Sequence, residues 1–316
     1  MIKLQTTITV QQERDPIDYG SEVLLLGSCF VAHIGEKLDY YKFKTTINPF
    51  GIIFHPVAIE RLVTRAINEE EFTGKDVFYH NEQWHCFDAH STLSTLKKEE
   101  FLCVLNDRLT LLKASIERAT HIVLTVGTAW VYRHIASNEI VANCHKVPQK
   151  KFLKELLSVE AVTESIDKTV TLLKADNPSV KIITTVSPVR HLKDGFVENT
   201  LSKAHLISGV HQVVDPRQAI YYFPSYELMM DELRDYRYYT TDLLHPNTTA
   251  TQLIWERFTK AWIASETEKT RKEVSSIQNG LRHKPFNPES EAHQIFLKQL
   301  AQQIEQLQRQ YPHMQF

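Results

Sequence analysis

The sequence has no apolar run that approaches the roughly 18 residues of a membrane span, and no block of charges of one sign. Its formal net charge is only −2, so it lacks the pattern typical of proteins that bind nucleic acid or an anionic membrane. The N-terminal stretch has no continuous apolar core and no small-residue cleavage site, so it is not typical of a signal peptide. We therefore expect a cytoplasmic protein that acts on a small molecule.

Only four residues of the chain are cysteines, and they lie far apart: Cys29, Cys86, Cys103 and Cys144. A chain of 316 residues buries enough apolar surface to fold without disulfides, so we expect reduced thiols. Two adjacent His-Cys pairs, His85-Cys86 and Cys144-His145, could suggest zinc. Because neighbouring side chains on a strand point to opposite faces, however, such pairs are poor chelates. The sequence therefore predicts no metal site and no other cofactor.

Strand-like and helix-like patterns alternate along the chain, without internal repeats, which is typical of an α/β fold. Five short runs are predicted as core strands: EVLLLG, KFKTTI, HIVLTVG, VKIITTVSP and AIYYF. The first is apolar throughout, which indicates a strand buried on both faces of a parallel sheet. Helical spacing predicts helices over 56–68, 98–118 and 150–175, and another that Asn247 caps. Two hairpins are expected, over 77–91 and 129–143.

The composition changes after about Ser265 to charged and glutamine-rich residues. We therefore predict one domain over residues 1–265, followed by a linker and a C-terminal helix over 266–316. Asn287 and Pro288 suit the start of that helix, as N-cap and first helical residue. Its apolar residues then follow a spacing of three and four: Leu297, Leu300, Ile304, Leu307 and Tyr311. This stripe either docks on the parent domain or pairs with a second copy, so we expect a monomer or a weak dimer.

The first apolar run ends at Gly27 and is followed by two potential nucleophiles, Ser28 and Cys29. A nucleophile on a tight turn between a buried strand and a helix is exposed at the carboxyl edge of the sheet, where open α/β folds bind their ligands. The N–H groups of the first helical turn can stabilise an oxyanion there and favour a thiolate. The turn is therefore a candidate catalytic site in which either side chain could react.

A second candidate lies in the stretch TTDLLHPN, where Asp242 and His245 are three residues apart. At this spacing a turn can bring the carboxylate to one imidazole nitrogen, fix the tautomer and leave the other nitrogen facing a nucleophile. Pro246 biases His245 toward an extended conformation, and the helix after it places a positive dipole end nearby, which helps to keep the ring neutral. We therefore predict that Asp242 orients His245 as a general base.

In this order, the nucleophile turn and the Asp-x-x-His-Pro motif resemble the SGNH or GDSL hydrolase superfamily. Six motifs look more closely like the GSCFA family within it: GSCFVAHIG, NPFGIIFHP, VGTAWVY, ANCHKVP, YYFPSYELMMDELRDYRYY and DLLHPN. The resemblance spans roughly residues 20 to 260. It implies a three-layer α/β/α fold with a five-stranded parallel sheet, to which this chain adds a C-terminal helical extension. It also implies a hydrolase or acyltransferase directed at esters, so we expect a small-molecule or carbohydrate acyl ester as the partner.

The resemblance also implies roles for single residues. The first block of the superfamily is Gly-Asp-Ser, and aligning its glycine with Gly27 puts Cys29 in the place of the nucleophilic serine. This register favours Cys29 over Ser28, although a shift of one residue would favour Ser28. The second block contributes an oxyanion-hole glycine, for which Gly51 is the match. The last block carries over to Asp242 and His245.

One block of the superfamily is incomplete in this sequence. Where the superfamily has Gly-x-Asn, the chain has Gly127-Thr128-Ala129, so Thr128 or Asn143 would have to supply the missing oxyanion donor. Loss of one such donor typically costs about 100 to 1,000-fold in rate. A non-catalytic binding module that keeps the cleft is therefore a rival hypothesis, and a redox-sensing thiol at Cys29 is another.

Overall fold

The computed structural model describes residues 6–316. The strands in this part of the chain are β1 (Glu22–Gly27), β2 (Lys44–Ile47), β3 (Val77–His80), β4 (Gln83–Cys86), β5 (His121–Val126), β6 (Trp130–His134), β7 (Glu139–Val141), β8 (Phe152–Leu156), β9 (Lys181–Val186) and β10 (Ile220–Tyr222). The helices are α1 (Cys29–Tyr40), α2 (Pro56–Ile67), α3 (Lys98–Arg118), α4 (Val159–Asp176), α5 (Phe196–Val213), α6 (Ser225–Glu227), α7 (Thr248–Trp262), α8 (Glu268–Arg282) and α9 (Glu291–Gln310).

Five strands form one parallel sheet in the order β10-β9-β5-β1-β2. They are the five runs predicted as core strands, so the prediction of a five-stranded parallel sheet is confirmed. Strand β1, next to the edge strand β2, pairs with β5 on its other side. From β1 the chain first moves outward to β2 and later returns to β5 on the opposite side. The carboxyl ends of β1 and β5 therefore form a topological switch point, where open sheets of this kind bind ligands.

Helices cover both faces of the sheet, as the alternation of side chains along β1 requires. Leu24 and Leu26 belong to a core formed with α2, α3, α4 and α5. Val23 and Leu25 belong to a second core, formed with α1, α7, α8 and α9. Because all four side chains are buried, β1 has no solvent-facing side. The predicted three-layer α/β/α arrangement is confirmed.

Two small antiparallel sheets lie outside the main sheet: the hairpin of β3 and β4, and a three-stranded sheet in the order β7-β6-β8. The two predicted hairpins are therefore present. The helix predicted over 150–175 is wrong in its first part, because residues 152–156 pair with β6 as strand β8. Helix α4 begins only after Ser158, whose side chain accepts a hydrogen bond from the N–H of Ala161. Long-range pairing thus overrides the local helical pattern in this segment.

The C-terminal region contains more helix than the sequence predicts. Helix α8 occupies the start of the expected linker and buries Val274 and Ile277. Helix α9 begins at Glu291 rather than near Pro288, because Ser290 is its N-cap and accepts from the N–H of His293. Two residues of the apolar stripe, at 300 and 307, are buried in the second core, so the stripe docks on the parent domain. No helix within residues 6–316 is long and apolar enough to cross a membrane.

Candidate active site

The turn between β1 and α1 depends on a glycine. Gly27 has a φ of 136°, and a Cβ there would overlap the carbonyl group of Thr125 on β5. This close approach lets the N–H of Ser28 donate to the Thr125 oxygen at 3.1 Å. Only glycine combines this conformation with such a contact. Gly27 therefore anchors the Ser28-Cys29 pair at the switch point of the sheet.

The two potential nucleophiles lie in different environments. Ser28 is completely buried, and its Oγ has no hydrogen-bond partner among the described residues. Cys29 is the first residue of α1 and is partly exposed. Burial raises the pKa of its thiol, whereas the charge of Lys203 and the N–H groups of Cys29 and Phe30 lower it. Of the two side chains, only Cys29 is accessible to a ligand.

The Asp242-His245 pair has the geometry that its spacing predicts. Asp242 Oδ2 lies 2.7 Å from Nδ1 of His245, and Oδ1 accepts from the N–H groups of Leu244 and His245 at 2.8 and 3.0 Å. The Thr240 hydroxyl also donates to Oδ1. These hydrogen bonds, of which that from Thr240 is the strongest influence, hold the pKa of Asp242 far below its usual range. An ionised Asp242 fixes the Nδ1–H tautomer of His245 and leaves Nε2 as the free nitrogen.

His245 lines a groove of about 790 Å³ beside α1. His33 and Lys37 of α1 also line this groove, one and two helical turns beyond Cys29. The thiol of Cys29 and the imidazole of His245, both within the described chain, do not hydrogen-bond to each other. The groove thus brings the dyad to the helix that begins with Cys29, without closing the contact between the two.

The three predicted oxyanion donors form hydrogen bonds elsewhere in the fold, two of them through groups that could donate and Asn143 through its acceptor oxygen. The N–H of Gly51 donates to Asn48 within its turn at 2.7 Å. The Thr128 hydroxyl lies 3.2 Å from the Ser202 hydroxyl and accepts from the N–H of Trp130. Asn143 Oδ1 accepts from the N–H of His145 at 2.8 Å. The contact of Gly51 occupies its N–H, whereas that of Asn143 occupies the amide oxygen and not the Nδ2 donor.

Asn48 is one functional candidate that the sequence did not indicate. Its Oδ1 accepts from the N–H of Gly27 at 2.8 Å, directly before the nucleophile turn. Its Nδ2 is buried and has no partner among the described residues. The Asn-Pro turn at this position was visible in the sequence, but its contact with Gly27 was not. An unpaired amide donor therefore lies beside the turn. It is a candidate to replace the asparagine that is expected in the Gly-x-Asn block and is missing from Gly127-Thr128-Ala129.

His191, in the loop after β9, is a second candidate that the sequence did not indicate. Its Nε2 is buried without a partner in the described chain. The atom lies 3.2 Å from the point where Gly127 would carry a Cβ, and Ser28 Cβ lies 3.3 Å from the same point. Burial lowers the pKa of His191 to about 4, with smaller effects from the charges of Lys203 and His245. His191 therefore packs, as a neutral ring, between the nucleophile turn and the region of the dyad.

A third such residue is Lys203 of α5, which is 1% exposed. Its Nζ donates to the carbonyl oxygens of Gly127 and Ser187, both at 2.7 Å. These two residues directly follow β5 and β9, so the ammonium group lies at the same sheet edge as Cys29. A lysine within an apolar helix face was the only signal for it in the sequence.

The two His-Cys pairs lie together near the small sheets. The rings of His85 and His145 have centroids 4.6 Å apart, and His145 Nε2 donates to the carbonyl of Cys86. His85 uses both ring nitrogens, with the Ser94 hydroxyl and the His80 carbonyl as partners. Within residues 6–316, no group of three or more His, Cys, Asp or Glu side chains is arranged to hold a metal ion.

Comparison with known proteins gives the family of the chain. Residues 22–258 match the GSCFA family, and residues 274–316 match the C-terminal domain of GSCFA domain proteins. No functionally curated protein matches. A carbohydrate esterase family 3 structure from Talaromyces cellulolyticus aligns over 81% of this chain and 99% of its own, with 9% identity and a TM-score of 0.37. An acetyl esterase mutant with acetate ion aligns over 80% and 99%, with 12% identity and a TM-score of 0.32. Because the family match covers all five strands of the main sheet and both candidate motifs, this chain belongs to the GSCFA family.

Proposed function

We propose that this protein hydrolyses acyl esters through a covalent acyl-enzyme in which Cys29 is the nucleophile. The observation that carries the proposal is the Asp242-His245 pair, whose imidazole lines the groove along α1, the helix that begins with Cys29. A nucleophile at a helix N-terminus and an imidazole oriented by a carboxylate are the parts that acyl transfer requires. Both parts lie within residues 22–258, which match the GSCFA family.

The reaction would begin when the thiol of Cys29 loses its proton to Nε2 of His245. Sγ then attacks the acyl carbonyl and forms a C–S bond, and Asp242 stabilises the imidazolium. When the tetrahedral intermediate collapses, the C–O bond to the alcohol breaks and His245 returns the proton to the leaving oxygen. Water, deprotonated by His245, then attacks the thioester and releases the acid and the thiol.

The negative charge of each tetrahedral intermediate needs hydrogen-bond donors. The N–H groups of the first turn of α1 supply one source, because Cys29 and Phe30 already direct theirs toward the thiol. The unpaired Nδ2 of Asn48 beside Gly27 is the second candidate. We therefore assign to Asn48 the donor function that Gly51 cannot supply while its own N–H is bonded to Asn48 O.

The groove beside His245 would hold the remainder of the substrate. It is lined by the aromatic side chains of Tyr40 and Tyr41 and by polar groups of α7, among them Thr251 and Gln252. Aromatic faces next to hydrogen-bonding groups suit a sugar, which supports a carbohydrate-linked ester. The same groove could hold a hydroxyl acceptor in place of water, and the enzyme would then be an acyltransferase.

Hydrolysis of p-nitrophenyl acetate tests the proposal in the wild type and in three variants: Cys29→Ala, Ser28→Ala and His245→Ala. We expect activity in the wild type and in Ser28→Ala, and loss in the other two. Unchanged activity in His245→Ala would contradict the acyl-enzyme mechanism, and loss in Ser28→Ala alone would make Ser28 the nucleophile. A wild type that turns over neither this ester nor acetyl-CoA would favour the non-catalytic binding module.

A further inference from the structure

Lys203 is a buried cation without an acidic partner. It is 1% exposed, and no Asp or Glu within residues 6–316 forms an ion pair with it. Its two hydrogen bonds go to neutral carbonyl oxygens, at Gly127 and Ser187. A buried charge that lacks a counter-ion is costly, so such a lysine either loses its proton or interacts with an anion nearby. The acyl-enzyme mechanism requires neither a neutral Lys203 nor an anion beside it.

The groups that face Lys203 leave one candidate for that anion. Its ammonium lies 5.9 Å from the ring centroid of Tyr226 in α6, and His191 approaches it from the loop after β9. A neutral imidazole and a phenol do not supply a negative charge. The remaining ionisable group is the thiol of Cys29, whose charge and that of Lys203 stabilise each other. No hydrogen bond joins the two side chains, so Lys203 acts on Cys29 through its charge.

We propose that Lys203 is a positioning residue that supplies the counter-charge for the Cys29 thiolate and fixes the ends of β5 and β9 around it. This inference rests on the proposed function only in taking Cys29 as the reactive residue. The carbonyl contacts hold Nζ at the sheet edge, at the start of the segments that contain Thr128 and His191. Burial lowers the pKa of Lys203 to about 7, while a thiolate on Cys29 raises it. Burial also raises the pKa of the Cys29 thiol, so above about pH 7 the pair retains one proton, and the thiolate beside a protonated Lys203 is its minor form.

A shared proton gives the thiol a pH profile that a single group cannot produce. Below about pH 7, loss of a proton from Cys29 leaves a thiolate beside an ammonium, so the thiolate fraction rises with pH. Above about pH 7, the neutral pair and the ion pair contain the same number of protons, so the thiolate fraction levels off. It rises again only when the last proton leaves. The test is therefore the rate of Cys29 alkylation by iodoacetamide against pH, followed by mass spectrometry of the Cys29 peptide.

We expect this plateau in the wild type, and a single rise in Lys203→Met, which keeps the chain length but not the charge. At pH 7 the variant should be alkylated about tenfold more slowly, because the counter-charge of the thiolate is gone. Lys174→Met is the matched control, since Lys174 also donates to a backbone carbonyl, that of Val180, but lies on α4. Its profile should equal that of the wild type.

Two results would overturn the inference: a wild-type profile with one rise and no plateau, or a folded Lys203→Met protein with the wild-type profile. The wild-type measurement stands even where Lys203→Met fails to fold. Alkylation requires no ester turnover, so the two proposals fail separately. A plateau in a protein that hydrolyses no ester would retain the Lys203-Cys29 pair and reject the esterase.

Discussion

The carboxylate of Asp242 lies 2.7 Å from Nδ1 of His245, within a turn closed by a hydrogen bond from the N–H of Thr240 to the His245 carbonyl. The pair is three residues apart in sequence, so the loop alone determines its geometry. Both side chains remain nearly half exposed. The pair therefore serves to orient the imidazole rather than to bury a charge. Its loss should lower kcat and leave the stability of the protein nearly unchanged.

Asp242→Asn should lower kcat for p-nitrophenyl acetate by about 100-fold or more, because an amide can stabilise the wrong tautomer of His245. The melting temperature should change little. Asp235→Asn is the control, since Asp235 likewise closes an exposed turn through the N–H of Arg237. Equal rates in Asp242→Asn and the wild type would show that His245 needs no orienting carboxylate.

Ser28→Ala should stabilise the protein by about 1 kcal/mol, because the mutation removes a buried hydroxyl without a partner in the described chain. Urea unfolding measures the change in the free energy of unfolding. Esterase activity should stay within about twofold of the wild type, because the completely buried Ser28 cannot reach a ligand. Destabilisation by more than about 1 kcal/mol would instead indicate that the Ser28 hydroxyl has a bonded partner in solution.

The stability of the protein should fall as the pH decreases from about 6.5 to 4. His55 is buried, accepts from the N–H of Ala58 through Nδ1 and donates to the Val141 carbonyl through Nε2. Burial lowers its pKa in the folded state to about 4, so in this window the unfolded chain binds more protons than the folded one. The contribution of neutral His55 to stability is therefore complete above the pKa of an unfolded histidine, about 6.5, and is lost as the pH falls toward 4.

Urea unfolding at several pH values measures this contribution. The difference in pKa corresponds to a loss on the order of 3 kcal/mol from His55 by pH 4. His55→Asn keeps an N-cap acceptor but does not titrate, so its stability should depend less on pH. His283→Asn, at an exposed position, should behave like the wild type. An unchanged pH dependence in His55→Asn would show that His55 is not buried as a neutral ring.

The C-terminal helix should contribute to stability without forming a dimer. Leu300 is buried in the second core, so Leu300→Ala should lower the free energy of unfolding by about 2 to 5 kcal/mol. Leu297 is 42% exposed, and Leu297→Ala should change it by less than about 0.5 kcal/mol. Light scattering should give a monomer for the wild type and both variants. A wild-type dimer that Leu297→Ala dissociates would assign the stripe to an interface between copies.

Local sequence patterns predicted the elements whose buried residues recur at the spacing of the strand or helix itself. Strand β1 is a continuous apolar run, and α3 begins and ends at Lys98 and Arg118 as its helical spacing predicts. Residues 152–156 were misassigned because they become a strand only by pairing with β6. Helix α8 was missed because it is polar apart from a few buried residues, among them Val274 and Ile277.

In the candidate site, too, local contacts could be predicted from the sequence and long-range contacts could not. The contact between Asp242 and His245 could be predicted because three residues separate them. Lys203 and His191 reach the Cys29 turn from segments more than 150 residues away in sequence, through contacts with Gly127. No spacing in the sequence encodes such an approach. For the same reason the free amide of Asn48, which depends on the fold around Gly27, could not be predicted.

The acyl-enzyme itself tests the central claim most directly. Wild-type protein should be mixed with p-nitrophenyl acetate, quenched with acid during the first turnover and fragmented for mass spectrometry. The account predicts one acetyl group on the Sγ of Cys29, removable by hydroxylamine as a thioester, present in Ser28→Ala and absent in Cys29→Ala. An acetyl group on the side chain of Ser28, or continued ester hydrolysis with no acetylated residue, would contradict it.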